Sequence, residues 1–177
     1  MWVNKLSIFL VAITFLTIVF CIPAAAREIT VDDNGSDADY ILIQEAVNSS
    51  SSGDTIIVYP GFYNESLDIV IDNISVLSES EHPEDTAVRA FNISANNTTV
   101  NGFRINEELI LRGHKSDFWY DNIANCTVKN NILESGIVAG SGRCYNSSIE
   151  KNVILNSGIH VYDIDEPSDF LISDNLV

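Results

Sequence analysis

The amino-acid sequence predicts an all-β fold, a right-handed, single-stranded parallel β-helix with a helical N-terminal cap. One observation is a short motif that recurs as Asn73-Ile-Ser-Val76, Asn97-Thr-Thr-Val100, Asn125-Cys-Thr-Val128 and Asn146-Ser-Ser-Ile149, with a degenerate fifth copy in Asp169-Phe-Leu-Ile172. The copies follow one another at 24, 28, 21 and 23 residues. A unit that short has no room for a helix, so it holds two or three brief strands separated by Asn, Gly and Ser turns. A second observation is that Asn131, Asn152 and Asn175 share one offset after the last three copies. Two copies also share a later segment, Ser135-Gly-Ile-Val138 and Ser157-Gly-Ile-His160.

Units of this length stack as coils, each pairing with its neighbours, about 4.8 Å apart along the axis. Stacking aligns Val76, Val100, Val128, Ile149 and Ile172 into one internal apolar ladder. It also aligns Asn131, Asn152 and Asn175 at a turn, where Asn tolerates left-handed backbone and stacked amides bond one another. The expected role of these asparagines is structural.

The chain divides into three parts. Residues 1–26 have a positive start at Lys5, an apolar run from Leu6 to Ile22 and the small residues Ala24-Ala25-Ala26 before Arg27. This is the pattern of a secretory signal cleaved between Ala26 and Arg27. An uncleaved anchor is the competing reading, since the run approaches the ~20 residues that span a bilayer. Residues 27–65 form the cap and first coil: a strand at Ile29-Thr-Val31, a loop from Asp32 to Asp39, and a helix from Tyr40 to Asn48. That helix carries Ile43, Ala46 and Val47 on one face and has Asp39 as its N-cap. A strand from Asp54 to Tyr59 follows. An amphipathic helix before the first full coil covers a sheet edge that would otherwise be open. Residues 66–177 are the repeats, expected to be incomplete at the C-terminus.

The formal net charge of −16 excludes nucleic acid and anionic membranes as partners. Once the leader is removed, no other segment is long and apolar enough to enter a membrane. The expected location is therefore secreted or cell-surface, and the expected partners are polysaccharide or cell-envelope components. An oxidising exterior permits a disulfide between Cys126 and Cys144; two independent buried thiols on neighbouring coils are the alternative.

The stretch Ile29-Thr-Val-Asp32, Gly35, Tyr40, Ile43-Gln44-Glu-Ala46-Val47, Gly53-Asp54-Thr-Ile56-Ile-Val58 and Pro60-Gly61-Phe-Tyr63 resembles the opening of pectin-lyase-like right-handed β-helix proteins. Pectin methylesterases, nitrous-oxide-reductase accessory proteins and archaeal cell-surface proteins begin this way. The resemblance implies the fold; enzymes and non-enzymes share it, so it does not imply an activity. In the esterases it implies a groove with two aspartates and an arginine, one aspartate within Gly-x-x-Asp-Phe-x-x-Gly. Here Gly113-His-Lys-Ser-Asp117-Phe118-Trp119-Tyr120 matches with altered spacing and no closing Gly. Asp117 and Asp121 are therefore weak catalytic candidates, requiring the fold to join them as an acid and base pair. Phe118, Trp119 and Tyr120 are the carbohydrate-stacking candidates, with packing over a coil as the plainer role.

No metal or cofactor is expected. His82, His114 and His160 are scattered without ligand spacing. Asp163, Asp165, Glu166 and Asp169 read as a solvated turn rather than a calcium loop. Nine asparagines (34, 48, 64, 73, 92, 96, 97, 125 and 146) lie in Asn-x-Ser/Thr acceptor motifs. Four of them belong to the repeat, where turn chemistry explains part of the excess, so Asn34, Asn48 and Asn64 are the leading glycosylation candidates. The leading functional expectation is a non-catalytic surface β-helix that binds carbohydrate. The alternatives are a polysaccharide lyase or pectinesterase-like enzyme and a structural envelope component.

Overall fold

The computed structural model describes residues 25–80, 82–113, 122–140, 144–162 and 169–177. They form a parallel β-solenoid of about five turns with one short helix near the N-terminus. One sheet contains seven parallel strands stacked in chain order: Glu28–Val31, Thr55–Val58, Ser75–Ser78, Thr99–Asn101, Thr127–Lys129, Ser148–Glu150 and Leu171–Ser173. Their register places Ile29, Ile56, Val76, Val100, Val128, Ile149 and Ile172 in one column. This is the ladder the repeat predicts, extended by two rungs. All its members are buried except Ile172, which is 46% exposed on the last turn. The alternation of one buried residue between two part-exposed ones is what a period-two strand over a core requires.

The second face changes along the axis. In the early turns it is a pair of long strands, Gly61–Ile69 and Thr86–Ile93. The next turn replaces the long strand with two short ones, Arg104–Ile105 and Leu109–Leu111, which pair with its two halves. Later turns repeat that split. The core columns therefore continue through Val88, Ile105, Leu133 and Ile154, and through Phe91, Leu109, Ile137 and Ile159. Phe91 and Phe103, both fully buried, meet edge to face at 5.4 Å in the interior.

Two corners turn the chain through left-handed backbone. Before the first sheet the residues with positive φ are Gly53, Asn73, Asn97, Asn125 and Asn146; after it they are Gly102, Asn130, Lys151 and Asp174. The residue after the second corner points inward. It is Phe103 on one turn and Asn131, Asn152 and Asn175 on the next three. The predicted asparagine ladder is present. Asn152 Oδ1 accepts from both the backbone N–H and the amide of Asn131, at 3.0 Å each. The Asn152 amide donates to Val128 O and to Asn175 Oδ1, also at 3.0 Å.

The N-terminal helix departs from expectation at its start. It spans Ile43–Ser49, and Ile43, Ala46 and Val47 are its buried face, as predicted. Tyr40 is not helical, because it bridges to Val31 and exchanges backbone hydrogen bonds with the first strand. Asp39 is not the N-cap. Its carboxylate accepts instead from the Thr30 N–H at 2.8 Å and the Thr30 hydroxyl at 2.9 Å. The helix is capped from another strand: Glu65 accepts from the N–H groups of Ile43 and Gln44 at 2.9 and 3.0 Å. Glu65 reaches them because the strand register shifts between Tyr63 and Ser66, a bulge that re-aims one side chain.

Candidate functional site

The outer surface beside the second corner carries a groove of about 460 Å³. Ser78, Glu79, Ser80 and Pro83 form one wall, and Asn101, Asn130 and Lys151 line the other as successive turns pass beneath it. The Asn130 amide donates to Asn101 Oδ1 at 2.7 Å, so the amides follow the axis like the strands do. Hydroxyls, amides, one carboxylate and one ammonium spaced by the coil repeat suit an extended polar ligand. Sequence reasoning missed these residues. The signal was present, since Asn130 and Lys151 each immediately precede a ladder asparagine.

Of the site residues expected from sequence, Asp117, Asp121, Phe118, Trp119 and Tyr120 lie outside the described residues, as do His114, Asp163, Asp165 and Glu166. Ala26 and Arg27 are described. The Arg27 backbone N–H and guanidinium reach the carboxylate of Asp54 at 3.0 and 2.9 Å, and the Ser51 N–H joins them at 2.8 Å. Asp54 is 2% exposed. Burial alone would raise its carboxyl, but the Ser51 and Arg27 hydrogen bonds and the guanidinium charge outweigh burial and hold it below the usual range. Asp32 and Asp39 are also lowered, by the Ser36 hydroxyl and the Thr30 N–H first. A general acid needs the opposite displacement.

The sequon asparagines Asn34, Asn48 and Asn64 are exposed, and so are Asn73, Asn97, Asn125 and Asn146. Asn96 differs. Its Oδ1 accepts from the Ala124 N–H at 2.8 Å, and the hydroxyl of its motif, on Thr98, is buried and bonded to Ala95 O.

Cys126 and Cys144 are free thiols, both buried, and the disulfide is not formed. Cys144 pairs in register with Ile123, three residues before Cys126, so the two thiols occupy different positions of adjacent turns. Burial pushes each thiol up to about 11. Neither is therefore expected to react with a disulfide reagent at pH 8 while the protein is folded. Titration after unfolding is expected to release both, and a thiol that reacts at native conditions would contradict the packing.

Among the described residues no group of three or more His, Cys, Asp or Glu side chains is placed to hold a metal ion. No helix among them is long and apolar enough to cross a membrane.

The chain is a parallel β-solenoid. No protein-family model matches it. It is 28% identical over 133 residues to a cell surface glycoprotein of Methanothermus fervidus, an alignment covering 71% of this chain and 21% of that protein. The chain thus spans about a fifth of the length of the curated relative it matches. Among solved structures it is similar to a pectin methylesterase variant in complex with a hexasaccharide. The TM-score is 0.41 at 15% identity, over 79% of this chain and 57% of that one. The architecture rests on the strand register of the chain itself.

Proposed function

We propose that this chain is a rigid, non-catalytic β-solenoid segment of a cell-surface glycoprotein, with a polar groove that binds carbohydrate. The observation that carries the reading is the set of exposed Asn-x-Ser/Thr asparagines, present on the loops and on four successive turns. The similarity to a cell surface glycoprotein supports the location. A net charge of −16 keeps such a surface soluble and deters association with anionic polymers. The groove beside Lys151 supports ligand binding, because its donors and acceptors recur at the coil spacing of about 4.8 Å along the axis.

The test is made on protein exported from cells that N-glycosylate their surface proteins. An intact mass above that of the polypeptide, lowered by enzymatic deglycosylation, is expected, together with accessibility to surface labelling on whole cells. Binding to a glycan array is expected to fall at least fivefold on Lys151→Ala. Uronic-acid polymers are expected to yield no product. Turnover of such a polymer, lost on Asp117→Ala, would overturn the non-catalytic reading in favour of a lyase or esterase.

A further inference from the structure

Both corners of the solenoid impose the same backbone demand, a left-handed residue on every turn, yet they are filled differently. The second corner uses Gly102, Asn130, Lys151 and Asp174, so glycine, amide, amine and acid all satisfy it. The first corner uses Asn73, Asn97, Asn125 and Asn146 on four consecutive turns. Turn chemistry explains an asparagine at such a position, because Asn visits left-handed backbone more readily than most residues. It does not explain what lies two residues further on. Ser75, Thr99, Thr127 and Ser148 complete an acceptor motif on all four turns, and they align in register on the part-exposed side of the strand. No second-corner residue is followed by such a hydroxyl. The other part-exposed strand position carries Leu77, Asn101, Lys129 and Glu150, with no shared chemistry. The hydroxyl column starts one turn earlier, at Thr55 after Gly53, where strand preference alone accounts for it; on the next four turns it coincides each time with an exposed asparagine and completes the motif.

We infer that Asn73, Asn97, Asn125 and Asn146 form an N-glycan attachment rail that is occupied only on non-neighbouring turns. The inference rests on the surface-glycoprotein reading and specifies which sites carry saccharide. All four asparagines are exposed. The donor is a saccharide linked through C1 to a polyprenyl phosphate carrier. In the transfer the C1–O bond breaks, the C1–Nδ2 bond forms, Nδ2 loses one proton, and the phosphate keeps the electron pair.

Spacing sets the occupancy. Equivalent residues on adjacent turns are about 4.8 Å apart, and the Asn125 amide already touches its neighbour, donating to Asn97 Oδ1 at 2.9 Å. A pyranose ring with its hydroxyls is wider than that spacing. A first glycan therefore blocks the turn above and the turn below. Two of the four sites are the most that one molecule fills. The backbone bond at the corner, from the Asn125 N–H to Tyr145 O at 2.9 Å, does not involve the side chain, so modification does not dismantle the corner.

Glycopeptide and top-down mass spectrometry of the exported protein test this. Glycan is expected at the corner asparagines, with no single molecule modified on neighbouring turns. Thr127→Ala removes the acceptor hydroxyl and leaves the left-handed Asn125 in place. It is expected to abolish glycan at Asn125, to raise occupancy at Asn97 and Asn146 at least twofold, and to leave the thermal midpoint unchanged. Glycan at Asn34, Asn48 or Asn64 with none at the corner would overturn the rail while sparing the surface-glycoprotein reading. Two glycans on neighbouring turns of one molecule would overturn the spacing rule. Absence of glycan from every sequon, in cells that modify a control glycoprotein, would overturn that reading as well.

Discussion

Replacing Asn152 with leucine is expected to destabilise the protein by about 3–5 kcal/mol, the sum of several orphaned buried groups at ~1–3 kcal/mol each. Asn152 is the central rung of the internal ladder. Its Oδ1 accepts two donors from Asn131, and its amide serves Val128 O and Asn175 Oδ1. Leucine keeps the branched shape but leaves the Asn131 N–H and one Asn131 amide hydrogen without an acceptor, and takes one donor each from Val128 O and Asn175 Oδ1, in a buried interior. A solenoid couples only neighbouring turns, so the loss is expected to be local first. Hydrogen exchange should show lost protection from Ser148 to Ser173 while the strands from Thr55 to Asn101 stay protected. Uniform loss along the chain, or no loss, would contradict the ladder's role. An exposed corner residue provides the contrast: Asn146→Gly keeps the left-handed turn and is expected to change stability by only a few tenths of a kcal/mol.

Asp54→Asn is expected to cost about 2–4 kcal/mol at neutral pH, because the amide nitrogen replaces one of two accepting oxygens: it faces either the Arg27 backbone N–H, or the Ser51 N–H together with the Arg27 guanidinium, and the charge that holds the guanidinium is lost. The sign of the pH dependence follows from the depressed carboxyl. A group whose folded value lies below its unfolded one, about 3.9 for Asp, contributes fully above that unfolded value. The contribution is lost as pH falls through the folded value. Thermal unfolding of the wild type and the variant should therefore differ by a constant amount from pH 5 to 8 and converge below about pH 4. A gap that widens in acid would contradict the assignment. The N-terminus offers a second arm. A chain beginning at Arg27 would carry an ammonium group in place of the Arg27 N–H, which lies 3.0 Å from Asp54 Oδ1, facing the same carboxylate. Protein beginning at Arg27 is expected to unfold at higher temperature than protein extended by Ala26, and that difference should vanish in Asp54→Asn.

The repeat was legible because its signals recur at the period of the coil. The apolar column through Val76, Val100, Val128, Ile149 and Ile172, and the asparagine column through Asn131, Asn152 and Asn175, follow from equal offsets alone. The buried face of the helix was legible for the same reason, from the spacing of Ile43, Ala46 and Val47. Its start and its cap were not. Asp39 has the chemistry of an N-cap, but Tyr40 is claimed by the first strand, and the cap comes from Glu65, 22 residues away. That partnership depends on a register shift which no periodicity announces. The thiols were likewise ambiguous, since two cysteines on neighbouring turns are equally consistent with a bridge or with separate burial.

Sequence by itself determined the shape of this protein, a stack of short parallel strands turned by left-handed corners, since the fold's chemistry repeats along the chain. Tertiary structure decided which groups act together: the buried Asp54 with Arg27, and Ser78 and Ser80 with Lys151 across one groove. Their separations along the chain are unequal or cross from one turn to another. Only closing each coil over the last brings them within a hydrogen bond of one another or onto the walls of one groove.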